Sequence, residues 1–203
     1  MAAAGATVNS QLLEAAARGD ALRVGALLSE GADLEARDRS GRTALLLATH
    51  GDHAEVARLL IAAGADVNAK DSISDTPYLY AGAEGRNEIL KMTLAAGADL
   101  TSTNRYGGVA LIPAAHHGHP ETVKILLGTA ININHINRLG WTALIEAVIL
   151  SDGGPVHTEI VRLLVDAGAD VNIPDREGVT PLAHARSRGY TQMVAILDKA
   201  GAK

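Results

Sequence analysis

The chain has 203 residues, a formal net charge of −5, 47% hydrophobic content, no Cys, no Phe, one Trp and four Tyr. The acidic balance leaves nothing global that would attract nucleic acid or anionic lipid, and the absence of cysteine excludes a disulfide framework and thiolate chemistry. So few aromatics imply a thin core of Ala, Leu, Val and Ile, which suits closely packed short helices better than a large β-sandwich.

Met1 to Ser10 has neither a basic start nor a sustained apolar stretch, so no signal peptide is expected there. Apolar runs such as Leu59 to Ala63 are far too short to span a membrane. A cytoplasmic protein that uses neither membrane nor nucleic acid is the expectation. Asn9 to Arg37 forms a first unit that lacks most of its leading turn and reads as a cap. Asp38 to Lys70 is the first full unit. Asp38-Arg39-Ser40-Gly41 is a turn, with Gly41 supplying positive φ. Thr43 is placed to start a helix through the apolar run Ala44 to Ala48, and Gly51-Asp52 breaks it. A second helix is predicted over Ala54 to Ala62, with Val56, Leu59 and Leu60 on one face. Gly64 is placed to end it in the left-handed conformation.

The same order returns over 71–103, 104–136 and 137–174, and a last unit over 175–203 ends on Asp198-Lys199 as a second cap. The beat is set by Gly31-Ala32-Asp33-Leu34-Glu35, Gly64-Ala65-Asp66-Val67-Asn68, Gly97-Ala98-Asp99, Ala130-Ile131-Asn132 and Gly168-Ala169-Asp170-Val171-Asn172. Each step is 33 residues except the 38 from Ala130 to Gly168. A fixed period of this length predicts an all-α repeat solenoid, about six helix-turn-helix units with β-turn or hairpin tips, forming one domain over 1–203. The extra residues fall at Ser151-Asp152-Gly153-Gly154-Pro155-Val156-His157, predicted to enlarge a turn between two helices. That loop is either a contributor to a binding face or a tolerated surface insertion.

Thr76-Pro77, Gly118-His119-Pro120-Glu121-Thr122-Val123 and the Gly-Ala-Asp-Val-Asn segments resemble ankyrin repeats, over residues 9 to 203. The layout, with Asn104-Arg105-Tyr106-Gly107-Gly108, Gly140-Trp141-Thr142-Ala143-Leu144 and Ser151-Asp152-Gly153-Gly154, is similar to small stand-alone bacterial ankyrin proteins, a group with no agreed biochemical activity. The family's Thr-Pro-Leu-His segment is degraded. Its His is replaced by Leu46, Leu79, Ile112, Ile145 and Ala183, and its Thr by Val109 in one unit.

The resemblance implies that turn tips and first helices line a concave face. Helical spacing then assigns side chains to it. Arg42, Tyr80, Glu84, Arg105, Tyr106, His116, His117, Arg138, Trp141, Glu146, Ile149, His184 and Arg188 are the expected partner-binding residues. Tyr, Trp and Arg dominate binding hot spots, so the face of the third to fifth repeats is expected to bind a partner protein or peptide. Trp141 at a tip has little core to enter and should be substantially exposed. Arg39, Arg105, Arg138 and Arg176 share one tip position, either as a ladder selecting an acidic or phosphate-bearing ligand or as solvated arginines paired with Asp38, Asp175 and Glu177.

A rival reading uses the same face for a small ligand, an anion or a metal, with His116, His117, Glu84 and Glu146 as the chemical groups. Adjacent helical residues point about 100° apart, no HExxH spacing occurs, and no nucleophile–base–orienter set appears. No cofactor, no metal and no catalytic residue are therefore expected. The ordinary outcome for these groups is polar groove lining, with a contact between Glu146 and His184. A monomer is expected, with self-association through the same surface as the alternative.

Overall fold

The computed structural model describes residues 2–203, with side chains from residue 7 onward. Its regular structure is helical throughout: α1 (Ala2–Arg18), α2 (Ala21–Ser29), α3 (Ala44–His50), α4 (Ala54–Ala62), α5 (Pro77–Ala83), α6 (Asn87–Ala95), α7 (Leu111–His116), α8 (Pro120–Leu127), α9 (Ala143–Ile149), α10 (Pro155–Asp166), α11 (Pro181–Ser187) and α12 (Thr191–Lys199). No strand occurs among the described residues. Two compact bodies are formed, Met1–Ala81 with Arg86–Asp99, and Gly82–Gly85 with Leu100–Lys203. In the first, α1 packs on α2 and α3, α3 on α4, and α4 on α2 and α6. In the second, α7 packs on α9 and α9 on α11, while α8 packs on α10 and α10 on α12. Within each of these pairs of consecutive helices the two also pack together.

The helix starts follow from the sequence. Thr43, Thr142 and Thr180 each cap by accepting a hydrogen bond from the backbone N–H three residues on. Thr76 does the same toward Leu79. Val109 has no hydroxyl, and α7 starts late and runs only from Leu111 to His116, without a side-chain cap. Helix α1 reaches back to Ala2, beyond the expected start at Asn9, because the Ala-rich leader has the highest helix propensity. At the break after α3, the left-handed residue is Asp52, with φ 55°, and not Gly51. Gly64 ends α4 with φ 96°, as its position predicts.

The recurring five-residue segment has a mechanical purpose. Its Asp or Asn closes a local turn, as Asp66 Oδ1 does by accepting from the Asn68 N–H at 2.8 Å. Its last residue then reaches the next repeat. Asn68 Oδ1 accepts from the Asp99 N–H at 2.8 Å, and Asn134 Oδ1 accepts from the Asp170 N–H at 2.9 Å. Asn172 Oδ1 accepts from the Lys203 N–H at 2.9 Å.

A second staple was not foreseen from the sequence. At the start of four second helices, α4, α6, α10 and α12, a side chain reaches back to the preceding repeat. His53 Nε2 donates to the Ala17 carbonyl at 3.2 Å, His157 Nε2 to the His116 carbonyl at 2.9 Å, and the Tyr190 hydroxyl to the Ser151 carbonyl at 2.8 Å. Arg86 takes the same role with the Asp52 carboxylate at 3.6 Å. The insertion is absorbed into this pattern. Pro155, Val156 and His157 are not loop residues but the first turn of α10, because Pro at the first helical position lacks only an N–H that would be unpaired anyway. What remains as loop is tied down by Tyr190.

Candidate partner-binding surface

Turn tips carry Arg42, Arg105, Tyr106, Arg138 and Trp141 of the expected residues, and one side chain organises each tip. Asp38, Asp71, Asn104, Asn137 and Asp175 each accept, through Oδ1, the backbone N–H groups two and four residues on, at 2.8–3.1 Å. The tip is thereby rigid, and the residue two positions past the Asx is held outward. That position is Ser40, Ile73, Tyr106, Leu139 and Glu177. Ile73, Tyr106 and Leu139 are exposed to 42%, 51% and 46%. Tyr106 was expected there. Ile73 and Leu139 were missed, although each lies 33 residues from Tyr106 in the sequence.

In the second body, Arg105 lies over the Tyr106 ring with its guanidinium carbon 4.9 Å from the ring centroid. The Arg138 N–H donates to the Tyr106 carbonyl at 2.9 Å. The Arg138 guanidinium donates to the Arg105 carbonyl at 3.0 Å, and that of Arg176 to the Arg138 carbonyl. The arginine series is thus neither a free ladder nor paired with Asp175 and Glu177. Each of these two arginines clamps the tip before it and remains exposed. Among the described residues no carboxylate stands within ion-pair distance of Arg105, Arg138 or Arg176. Asp38 bonds Arg42 at 2.8 Å, which holds its carboxyl below the usual range. Burial pushes the carboxyl up, and the backbone and side chain of Arg42 outweigh it.

Trp141 corrects an expectation. It is half-buried, not substantially exposed, and its backbone N–H donates to Asn137 Oδ1 at 3.1 Å. The tip turn that holds Leu139 outward returns the chain at Trp141 to the start of α9, and the residue there is only partly exposed. Glu146 is a second correction. It is 95% removed from solvent, not groove-lining, and accepts from Asn137 Nδ2 at 2.8 Å. Burial raises its carboxyl to about 7. Its other oxygen lies 3.7 Å from His116 Nδ1. Burial, then His117 and His157, pushes His116 below its ordinary value. Near neutral pH both groups are therefore driven toward their uncharged forms, so the contact is not a strong ion pair.

Glu146 makes no bond to His184. His184 Nε2 lies 2.7 Å from Asp175 Oδ2, with the Asp175 side chain only 6% exposed. The two pairs are the same arrangement with polarity reversed. The tip Asx and the residue nine positions later meet, as acceptor and donor in Asp175–His184 and as donor and acceptor in Asn137–Glu146. This nine-residue spacing was legible in the sequence and was overlooked.

The remaining expected residues fall as follows. His117 Nδ1 donates to the Ala83 carbonyl at 2.7 Å and stands 3.5 Å from Glu84. Ile149 is half-buried at the end of α9, and Arg188 is exposed at the end of α11. In the first body, Tyr80 stacks on His50 with centroids 3.8 Å apart. Arg42 sits on Asp38. His116, His117, Glu84 and Glu146 resolve into two adjoining His–Glu contacts with the His rings 4.8 Å apart, and among the described residues no group of three or more His, Asp or Glu has metal-binding geometry. No described helix is long and apolar enough to cross a membrane.

Repeated helix pairs, capped Asx tips and the inter-repeat staples define a repeat scaffold. The ankyrin repeats family (3 copies) matches residues 12–104, 78–175 and 111–203, and the chain belongs to this family. It is similar to an ankyrin repeat domain from Acinetobacter baumannii AYE, 55% identical with a TM-score of 0.92 over 95% of this chain and 98% of that one. It is similar also to EF0377, an ankyrin repeat protein, at 45% identity and a TM-score of 0.91 over 94% and 98% of the two chains. The ankyrin repeat domain of Bcl-3, a member of the IkappaB protein family, gives 29% identity and a TM-score of 0.84 over 95% and 86%. A stretch of 57 residues is 44% identical to the ankyrin repeat protein YahD of Escherichia coli (strain K12), spanning 28% of either chain. Ankyrin repeats are in general protein-interaction modules and not catalytic scaffolds.

Proposed function

We propose that this chain is a non-enzymatic interaction module that binds a partner protein or peptide through the tips and first helices of its third to fifth repeats. The observation that carries the reading is Tyr106. Half of this aromatic stands in water under the Arg105 guanidinium, on a tip made rigid by Asn104. A rigid, partly apolar side chain flanked by cations suits a hot spot better than it suits stability. His117 and Glu84, 3.5 Å apart at the ends of the first helices of their repeats, are further polar groups of the proposed face. The net charge of −5 supports a partner other than nucleic acid or an anionic membrane. In this reading the chain acts as a cytoplasmic monomer without cofactor.

The test is affinity capture from a lysate of the source organism with wild type beside a Tyr106→Ala/His117→Ala variant. A species retained by wild type and lost with the variant, at unchanged melting temperature, is the expected result. Identical captures from both would remove this face from the proposal.

A further inference from the structure

The tip edge of the second body has a composition that specifies more than a generic partner. Tyr106 and Leu139 occupy the same position in consecutive repeats, two residues past Asn104 and Asn137, and both are about half exposed. The backbone of Arg138 is bonded to the backbone of Tyr106, so the two side chains are neighbours on adjoining tips. Ile136, one residue before Asn137, is a further exposed apolar side chain at 50%. Arg105, Arg138 and Arg176 interleave with them. Their guanidinium groups bond only to an aromatic face or to backbone carbonyls, and among the described residues no carboxylate neutralises any of them. The result is a cationic, apolar edge on a chain whose overall charge is −5.

The backbone there is used up. The Tyr106, Arg105 and Arg138 carbonyls already accept hydrogen bonds, the first from a backbone N–H and the others from guanidinium groups. An incoming strand would find few main-chain partners, so recognition rests on side chains. Charge complementarity then selects the occupant. Exposed guanidinium groups without a carboxylate partner match carboxylates in forked geometry, and the apolar side chains between them match apolar residues of the same segment.

We infer that this edge docks an acidic segment of a partner protein that carries apolar side chains between its carboxylates. The inference rests on the interaction-module reading and names the partner's chemistry. Leu139 and Tyr106 are the apolar anchors, and Arg105, Arg138 and Arg176 set the charge preference.

The experiment titrates the isotope-labelled full chain with two short synthetic peptides, one of repeating Glu-Gly-Leu and one of repeating Lys-Gly-Leu, followed by amide chemical shifts. Expected are shifts at Arg105 to Gly107 and Arg138 to Gly140 with the acidic peptide, weakening as salt is added. The lysine peptide should bind about tenfold more weakly or not at all. Tyr106→Ser/Leu139→Ser should weaken the acidic peptide about tenfold or more, with an unchanged melting temperature. Arg105→Gln/Arg138→Gln should abolish the salt dependence, which keeps the test decisive if the first variant is unstable. Equal binding of both peptides, no binding of either, or shifts confined to α7 and α9 would overturn the inference. So would a concentration-dependent dimer in light scattering that Leu139→Ser dissolves. Absence of peptide binding while the Tyr106→Ala/His117→Ala capture difference persists would defeat the acidic-segment inference alone and leave the general reading standing.

Discussion

At the scale of single residues, the most consequential group is Glu146. Its neighbours at the tip fix it in a site where the charged form is disfavoured, and burial raises its carboxyl from 4.5 to about 7. An acid whose pKa is raised on folding binds more protons in the native state between the two values. The stability from this group is therefore fully present below about pH 4.5, declines between there and about 7, and is absent above. The full loss is about 3 kcal/mol at the conversion of 1.36 kcal/mol per pKa unit. Glu146→Gln should leave stability near pH 4 almost unchanged and raise it above pH 7 by up to that amount, read by urea melts across pH. A variant equally affected at both ends would show that the carboxyl does not titrate in this window. Trp141 gives the second prediction. Being half-buried, it should contribute packing energy, so Trp141→Ala is expected to cost roughly 1–3 kcal/mol, below the range for a fully buried Trp. As the sole Trp, it should emit between the extremes of a core and a solvated indole.

At the scale of an element, the loop before each second helix shows how the repeats are fastened. Gly153 has φ 75°, and a Cβ there would come 2.4 Å from the Tyr190 ring. Gly153→Ala should therefore destabilise by about 2 kcal/mol through backbone strain and the clash together. Adding Tyr190→Ala should relieve only the clash, so a double-mutant cycle separates the two contributions. The tip of the third repeat offers the opposite case. Ser74 stands where other tips have Gly41, Gly107, Gly140 and Gly178, and it holds φ 70° against the preference of an L-residue. Ser74→Gly should stabilise by about 1 kcal/mol, the usual cost of that conformation. An unchanged or lower midpoint would mean that the serine side chain compensates in place.

At the scale of the molecule, the 33-residue period makes stability a sum over neighbours. Helices α11 and α12 cover α9 and α10 in the second body. Truncation before Asp175 would expose the side of α9 and α10 that they cover, and would remove the Asn172–Lys203 and Tyr190–Ser151 bonds. The truncated chain should melt lower and aggregate, read by thermal scanning with light scattering. A truncated chain that stays monomeric with an unchanged midpoint would show that the last repeat is not a cap.

The helix positions, the Thr caps, the left-handed Gly64 and the family were legible in the sequence, because each depends on residues close together along the chain. Helix periodicity, a hydroxyl at a helix start and a glycine at a helix end act within one turn of backbone. The fixed period then extends one repeat to all. The candidate surface was legible only in outline. Sequence spacing placed Tyr106 and Arg105 outward, and they are outward. It also placed Trp141 and Glu146 outward, and they are not. Whether the return of a tip turn carries an indole to the protein or to water depends on the Asx hydrogen bonds and on what lies behind the turn. Whether Glu146 meets His184 or Asn137 depends on a pairing across nine residues that competes with one across thirty-eight. The arginine tips show the same division. Their recurrence is written in the chain, but that they clamp neighbouring carbonyls instead of acids follows from how closely consecutive tips stack, a distance set by packing between repeats.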